Sequence, residues 1–184
     1  MMRELKRQSF HLLLGIFALC VLVFFGRGAL MAGTFFAMLI GFVLVNRALL
    51  KNRIRIMEWF VKEFERKDAR FPGWGSACYG LGILFLSGFL HDPAEIAAAL
   101  VVLALGDGFS TLIGKMGNYR IPWNRSKTVE GAAAFFIGAL FGYYFVGWAI
   151  LPVAFVAMLV ESIDWPLDDN LMVPVACTIM FWVL

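Results

Sequence analysis

About seven runs of apolar residues, separated by short polar breaks, constrain this chain more than any other feature of its sequence. Of 184 residues, 61% are hydrophobic and only 16% are charged, too apolar a composition for a soluble fold of this size. Such runs predict transmembrane helices, because a bilayer offers no water to exposed backbone groups. We therefore predict an all-α membrane protein, a bundle of about seven transmembrane helices forming one domain, 1–184. The spans are expected at about 10–25, 29–45, 75–90, 94–106, 131–146, 149–160 and 171–184.

The basic residues predict how these spans are oriented. With the N-terminus inside, the inside segments are the leader before the first span, 46–74, 107–130 and 161–170. These segments carry three, eight, four and no Lys or Arg residues, so that fifteen of the sixteen lie inside and only Arg27 lies outside. The positive-inside rule therefore predicts a multi-pass protein whose N-terminus and longest polar segments are cytoplasmic.

The longest of these inside segments predicts an amphipathic helix at about 50–68. Ile54, Met57 and Phe64 recur at helical spacing, and charged residues occupy much of the remainder. Such a helix would lie at the membrane interface on the cytoplasmic side, in contact with membrane lipids. A connector that binds anionic lipid is the favoured interpretation, and a lid for a lipid substrate is the alternative.

The three cysteines and the first apolar run suggest no further chemistry. Cys20, Cys78 and Cys177 all lie inside apolar runs without ligand-like spacing, so they are expected to be inert packing residues. The first apolar run lacks a small-residue cleavage site before the next span, so we expect it to remain as a mature helix.

One polar segment, 105–131, carries the residue types that handle a metal-bound phosphate. It holds an acid at the end of a hydrophobic helix, five glycines, four cations and the start of the next apolar helix. The acid, Asp107, is a functional candidate because a carboxylate at that depth is unfavourable unless it is solvated, paired or metal-bound. The alternative is a helix-end carboxylate that reaches the headgroup water.

A second group of acids follows the sixth predicted span. Neighbouring carboxylates repel one another, and a cluster beside a bilayer favours a divalent cation with oxygen ligands. A solvated acidic loop is the alternative, but Trp165 to Leu167 interrupt the charges and hold the loop near the membrane. The acids are Glu161, Asp164, Asp168 and Asp169.

The residues before the fifth span could bind phosphate. Lys127 precedes a helix start, where unpaired N–H groups and the helix dipole favour anions. A plain capping arrangement with Thr128 as N-cap is an equally good interpretation. Gly108, Gly114 and Lys115 do not form a P-loop, because the glycine spacing is wrong and no strand precedes them. His11, one turn into the first span, is either a headgroup or packing residue or part of the same cytoplasmic site.

These motifs together resemble the CTP-dependent polyprenol kinases, the family of dolichol kinase, phytol kinase and a yeast-type diacylglycerol kinase. The resemblance rests on Asp-Gly after a hydrophobic helix, Gly-Lys a few residues later, and Lys-Thr-x-Glu-Gly opening the next helix. The leader with His11 and the element Leu167 to Asn170, followed by Pro174, are also similar to the family pattern. Ala132 departs from it, since many members carry Thr there. The C-terminal signature of the related phosphatidate cytidylyltransferases is not found.

The resemblance implies a Mg²⁺-dependent enzyme that transfers the γ-phosphoryl group of CTP to the hydroxyl of an isoprenoid alcohol or diacylglycerol. Catalytic roles then fall to Asp107, Lys127 and His11, with Asp107 ahead of His11 as the base. Binding of the nucleotide phosphates falls to Gly108, Lys115, Lys127, Thr128, Glu130 and Gly131. The Mg²⁺ ligands would be Asp107, Glu161, Asp168 and Asp169.

Three other classes of protein remain as alternatives. A cytidylyltransferase would use the same CTP and Mg²⁺ but would make a CDP-lipid from a lipid phosphate. A small transporter would place polar residues at mid-bilayer, where these spans have almost none. A lipid-binding scaffold would not need Asp107. No nucleic-acid partner is expected.

Overall fold

The computed structural model describes residues 2–49, 59, 63, 64 and 71–184 of the chain. Within these residues the backbone forms five apolar helical segments and one small β-hairpin, which confirms the all-α class. The helical segments are α1 (Met2–Leu49), α2 (Trp74–Phe89), α3 (Pro93–Gly114), α4 (Val129–Ser162) and α5 (Asp169–Val183). The predicted interfacial helix at 50–68 lies outside the described residues, apart from Trp59, Glu63 and Phe64.

Two of these segments are not uniform α-helices. In α3, a π-helical segment at Val102–Gly106 joins two α-helical parts, Pro93–Val101 and Asp107–Gly114. In α4, short 3₁₀ turns separate three α-helical parts. The α-helical parts are Val129–Ala139, Tyr143–Val146 and Ile150–Ser162, and the 3₁₀ turns are Leu140–Gly142 and Gly147–Ala149.

The prediction of seven separate transmembrane helices is wrong. Three described helices are long and apolar enough to cross a membrane, Leu5–Arg47, Pro93–Gly114 and Val129–Ser162, while α2 and α5 are shorter apolar helices. The count differs because the breaks expected at 26–28 and 147–148 are positive-φ glycines inside two helical segments. Long apolar helices in this number indicate a multi-pass membrane protein.

Helix α1 folds back on itself at Gly26, whose φ of 81° lies outside the helical region. In a straight helix, residues 15 and 38 would be about 35 Å apart. Yet Gly15 packs against Tyr79, and Met38 packs against Gly80, the next residue of α2. Glycine adopts positive φ without a steric penalty, so the predicted turn is real even though the helical assignment continues through it.

Helix α4 folds back in the same way, near Gly147 with its φ of 57°. A straight helix would place its two ends about 50 Å apart. Instead, Lys127 just before α4 contacts Glu161 near its end. The fold-back therefore brings residues from both sides of α4 to one place.

The polar segment between α3 and α4 contains an antiparallel hairpin that the sequence did not predict. Its strands are β1 (Arg120–Ile121) and β2 (Asn124–Thr128). The side chain of Asn124 donates to the carbonyl of Ser162, and the indole N–H of Trp123 donates to the Ser162 hydroxyl at 3.1 Å. These bonds attach the hairpin to the end of α4 and fix the position of Lys127, which belongs to β2.

The centre of the bundle is packed around α3. Leu100, Leu103 and Phe135 are at most 1% exposed. Where α3 crosses α4, a Cβ at Gly131 would lie 2.9 Å from the Gly114 Cα, so the two backbones touch through glycines. Large apolar side chains on the outside, such as Phe24, remain mostly exposed, as expected of a surface that faces lipid.

Candidate active site

Asp107 lies immediately after the π-helical segment of α3, at the start of its last α-helical part. A π-helical turn adds one residue to the α-helical repeat and so changes which side chains share a face; such segments are frequent at functional sites. Three residues later, Ser110 lies on the same face as Asp107. Both residues are buried, with 4% and 5% of their surface exposed.

Three carboxylates from three helices converge at this point. Oxygens of Asp107, Glu161 and Asp169 all lie within 4.8 Å of one another. Glu161 comes from the end of α4 and is 1% exposed, and Asp169 opens α5. The Ser110 hydroxyl donates to Glu161 Oε1 at 2.7 Å, which links α3 to α4 inside the cluster.

Lys127 is the cation that faces this cluster. Its Nζ lies 2.5 Å from Glu161 Oε1 and 2.9 Å from Asp169 Oδ2. Burial opposes the charge on Lys127, but attraction and hydrogen bonds from the two carboxylates outweigh it and raise the pKa of the lysine. Lys127 is therefore protonated at neutral pH and offers a fixed positive charge beside the acids.

The charges in the cluster do not balance. Three carboxylates face one ammonium, so their ionised forms would exceed the positive charge by two in a buried setting, where uncompensated charge is unfavourable. A divalent cation with hard oxygen ligands would neutralise them, and the donor set fits Mg²⁺ because it consists of carboxylate oxygens and a hydroxyl. Asp107, Glu161 and Asp169 are thus the described residues that could hold such an ion.

His11 approaches the cluster from α1. Its Nε2 lies 3.9 Å from Asp107 Oδ2, beyond hydrogen-bond distance but in the range of an ion pair. Its ring meets the Tyr79 ring edge to face, with centroids 4.2 Å apart. The predicted histidine is therefore at the same site as Asp107 and lies next to Tyr79 of α2.

There is open space beside the cluster. Gly108 is buried, yet a Cβ placed on it would meet nothing within 4 Å. A substrate group could therefore lie next to Asp107 without displacing a side chain at this position. The predicted phosphate-binding role of Gly108 remains a prediction.

Several other predicted site residues have structural contacts of their own. Asp168 is the N-cap of α5 and accepts from the Asn170 backbone N–H at 3.0 Å, so it lies outside the three-carboxylate group. Thr128 caps α4 through the Gly131 N–H and also donates to the Gly114 carbonyl. In the structure Thr128 is therefore the N-cap of the helix that opens α4. Gly131 is in close contact with Gly114 of α3.

Glu130 and Lys115 lie on the exposed side of the segment. The Glu130 carboxylate accepts from the backbone N–H groups of Asn118 and Tyr119 and thereby holds the turn before β1. Lys115 directly follows the end of α3 and is exposed. Asp164, in the loop before α5, is exposed as well.

Sequence reasoning missed two residues next to the acids. Ser110 could have been found from its spacing, since it follows Asp107 by one helical turn. Asn170 is 8% exposed and its Oδ1 has no hydrogen-bond partner among the described residues. Its position directly after Asp169 was visible in the sequence, but its burial was not.

Comparison with known proteins places the chain among plant and archaeal relatives. It is 31% identical to an uncharacterized protein of Methanocaldococcus jannaschii over 177 residues, which is 94% of this chain and 90% of the relative. It is 26% identical to the probable phytol kinase of Triticum aestivum, chloroplastic, over 99% of this chain and 68% of the relative. It is 30% identical to the probable phytol kinase 3 of Glycine max, also chloroplastic, over 94% of this chain and 60% of the relative.

No family model matches the chain. No solved structure matches it at a significant level.

Proposed function

We propose that the chain is a membrane lipid kinase, because it belongs to the CTP-dependent polyprenol kinase family and has homology to phytol kinases over nearly its whole length. It transfers the γ-phosphoryl group of CTP to the hydroxyl of an isoprenoid alcohol of the phytol, geranylgeraniol or dolichol type. Diacylglycerol is the other acceptor with the same chemistry. The observation that carries the proposal is the convergence of three carboxylates and one lysine from separated parts of the chain.

Phosphoryl transfer requires positioning and charge stabilisation more than covalent chemistry from the protein. Lys127 supplies a positive charge to the phosphate oxygens, and its attachment through the hairpin and α4 keeps it in place before substrate binds. Lys115, an exposed cation after the end of α3, is a further contact for the nucleotide phosphates. The backbone N–H groups of Val129 and Gly131 at the start of α4 already donate to the Tyr119 carbonyl and the Thr128 hydroxyl.

Asp107, Glu161 and Asp169 are the proposed Mg²⁺ ligands, with Asp168 orienting the start of α5 as its N-cap. When bound, Mg²⁺ would neutralise the charge on the phosphate oxygens. On substrate binding, Lys127 would exchange its contacts with Glu161 and Asp169 for contacts with phosphate, because both carboxylates are then needed by the ion.

The reaction forms one bond and breaks one. The alcohol oxygen attacks the γ-phosphorus, the bond from the γ-phosphorus to the bridging oxygen breaks, and CDP leaves with the electron pair. The hydroxyl proton passes to Asp107 or His11, which lie 3.9 Å apart at the edge of the cluster. The proposed site faces the cytoplasm, where the nucleotide is available, and the lipid chain remains between the helices.

The decisive experiment uses purified protein with a panel of lipid alcohols and CTP labelled at the γ-phosphate or in the cytidine. Label from the γ-phosphate in the lipid product is the expected result. Cytidine in the lipid would show a cytidylyltransferase instead. Absence of both labels, with protein correctly folded in detergent and the alcohols known to bind, would exclude the kinase.

A further inference from the structure

A second set of buried polar groups lies next to the carboxylate cluster, on the side of α1 and α2. Tyr79 is 3% exposed and its phenol oxygen has no hydrogen-bond partner among the described residues. Gln8 is 5% exposed, and its side-chain carbonyl oxygen is likewise without a partner in that part of the chain. Buried polar atoms are nearly always paired, so two unpaired ones beside a site call for a ligand.

The two unpaired atoms flank His11. Gln8 precedes His11 by three residues and lies on the same face of α1. The Tyr79 ring packs against His11, while its oxygen would be 2.9 Å from a Cβ at Gly15, one turn beyond His11. The phenol oxygen is therefore farther along α1 than the histidine, in the direction of the apolar span.

The same oxygen is also close to α3. The imagined Cβ of Gly15 lies 2.5 Å from the Cβ of Ala104, which stands three residues before Asp107 in the π-helical segment. Glycine at position 15 lets α1 and α3 approach and leaves the phenol oxygen at their junction. A polar atom thus lies about one helical turn from Asp107, on the apolar side of the acids.

The cluster is therefore chemically two-sided. Lys127, Glu161 and Asp169 present charge, which suits a triphosphate with its cation. The Tyr79 side presents neutral polar groups, the phenol hydroxyl and the Gln8 amide, beside the apolar core to which Tyr79 and Leu103 belong. A neutral alcohol at the end of a hydrocarbon chain matches the second side and not the first.

We propose that Tyr79 is the binding residue for the hydroxyl end of the lipid alcohol, in a subsite bordered by Gln8 and His11. The phenol O–H donates to the alcohol oxygen and holds it next to Asp107. This rests on the proposed kinase function for the identity of the ligand. A hydrogen bond to the one hydroxyl of the alcohol would also let the site reject a hydrocarbon that lacks it.

The test is Tyr79→Phe, which removes only the phenol oxygen, with Tyr144→Phe as the matched control because Tyr144 is 86% exposed. The first measurement is direct binding of radiolabelled phytol to the purified protein in detergent, without nucleotide. We expect Tyr79→Phe to weaken binding at least tenfold and the control to leave it unchanged. The melting temperature of Tyr79→Phe should be equal to or above that of the wild type, since an unpaired buried group is lost.

The second measurement is steady-state kinetics with phytol and CTP. Tyr79→Phe should raise the KM for phytol at least tenfold and leave the KM for CTP within twofold of the wild type. Unchanged phytol binding and KM would overturn the subsite, and so would a lowered melting temperature with unchanged binding, which would indicate a structural hydrogen bond.

The two proposals fail separately. If phytol binds with the expected dependence on Tyr79 but is never phosphorylated, the subsite stands and the kinase function is wrong. If phytol is phosphorylated equally by the wild type and Tyr79→Phe, the kinase function stands and the subsite is wrong. A wild-type protein that binds no phytol overturns the subsite.

Discussion

Replacing Lys127 with methionine is expected to destabilise the protein and to make its stability depend on Mg²⁺. Methionine keeps most of the length of the lysine side chain but removes the charge. In the structure that charge lies 2.5 Å from Glu161 Oε1 and 2.9 Å from Asp169 Oδ2. Without it, three carboxylates within 4.8 Å of one another have no cationic partner among the contacts described for the cluster, other than the nearby histidine.

The magnitude follows from burial. Removing one partner of a buried ion pair costs about 3–5 kcal/mol, because a charge is left uncompensated. The Glu161 side chain is 1% exposed, but the Lys127 side chain is 25% exposed, so the lower end of this range applies, at about 3 kcal/mol. For a chain of this size such a loss corresponds to a fall in melting temperature of roughly 6–12 °C.

The assay is thermal unfolding in detergent, with and without saturating Mg²⁺, and Arg125→Met as the control. Arg125 is an exposed cation in the same strand, so its loss should change the melting temperature little. In chelator, Lys127→Met should melt well below the wild type. In Mg²⁺ the difference should shrink, because the ion takes over the neutralisation that the lysine provides.

Turnover should respond differently from stability. If the proposed function holds, Lys127→Met should lower kcat at least about a hundredfold even in saturating Mg²⁺, equivalent to ~2.7 kcal/mol of barrier, because the ion would not replace the lysine at the nucleotide phosphates. Restored stability without restored turnover is the expected combination. A variant as stable as the wild type in chelator would refute the charge argument, and near-normal turnover would remove Lys127 from the site.

Three further predictions test neighbouring features. Asp107→Asn and Asp169→Asn should each lower turnover at least about a hundredfold, measured on protein that elutes as a folded species; near-normal rates would remove them as ligands. Glu130→Gln should weaken the turn before β1 and raise the KM for CTP only a few-fold, whereas a hundredfold change would mean that Glu130 reaches the phosphates. Gly131→Ala should cost about 1–3 kcal/mol in unfolding measurements, while Gly33→Ala, with open space around it, should not; equal effects would contradict the helix contact.

The sequence was sufficient to predict the acids and the lysine of the candidate site, because charged residues are conspicuous beside apolar helices. Asp107, Lys127 and Glu161 each end or precede an apolar run. Charged residues next to membrane-spanning helices are unfavourable unless they are paired or functional, so they are good candidates for a site. The family resemblance independently pointed to the same segments. The sequence could not predict which of the adjacent residues Asp168 and Asp169 faces Lys127. That depends on where α5 begins, because Asp168 caps the helix while Asp169 contacts the lysine.

The number of helices was not predictable from apolar runs alone. In the sequence, an apolar run ends wherever a glycine and a polar residue interrupt it. In the structure, a glycine with positive φ can reverse the direction of the chain while helical hydrogen bonding continues on both sides of it, so that two apolar runs belong to one helical segment. The hairpin at 120–128 was missed for a related reason. Its strands are too short and polar for an alternating pattern, and its position depends on bonds to Ser162, which is distant in sequence.

The π-helical segment Val102–Gly106 separates two different parts of α3. The part before it packs in the apolar core, and the part after it carries Asp107 and Ser110. One extra residue per turn rotates everything after it relative to everything before it. Substitutions in the apolar part that precedes the segment therefore need not change the direction of Asp107 and Ser110. Conversely, deleting one residue within the segment is expected to restore a regular helix and to rotate Asp107 and Ser110 away from Glu161, which would take the carboxylate cluster apart.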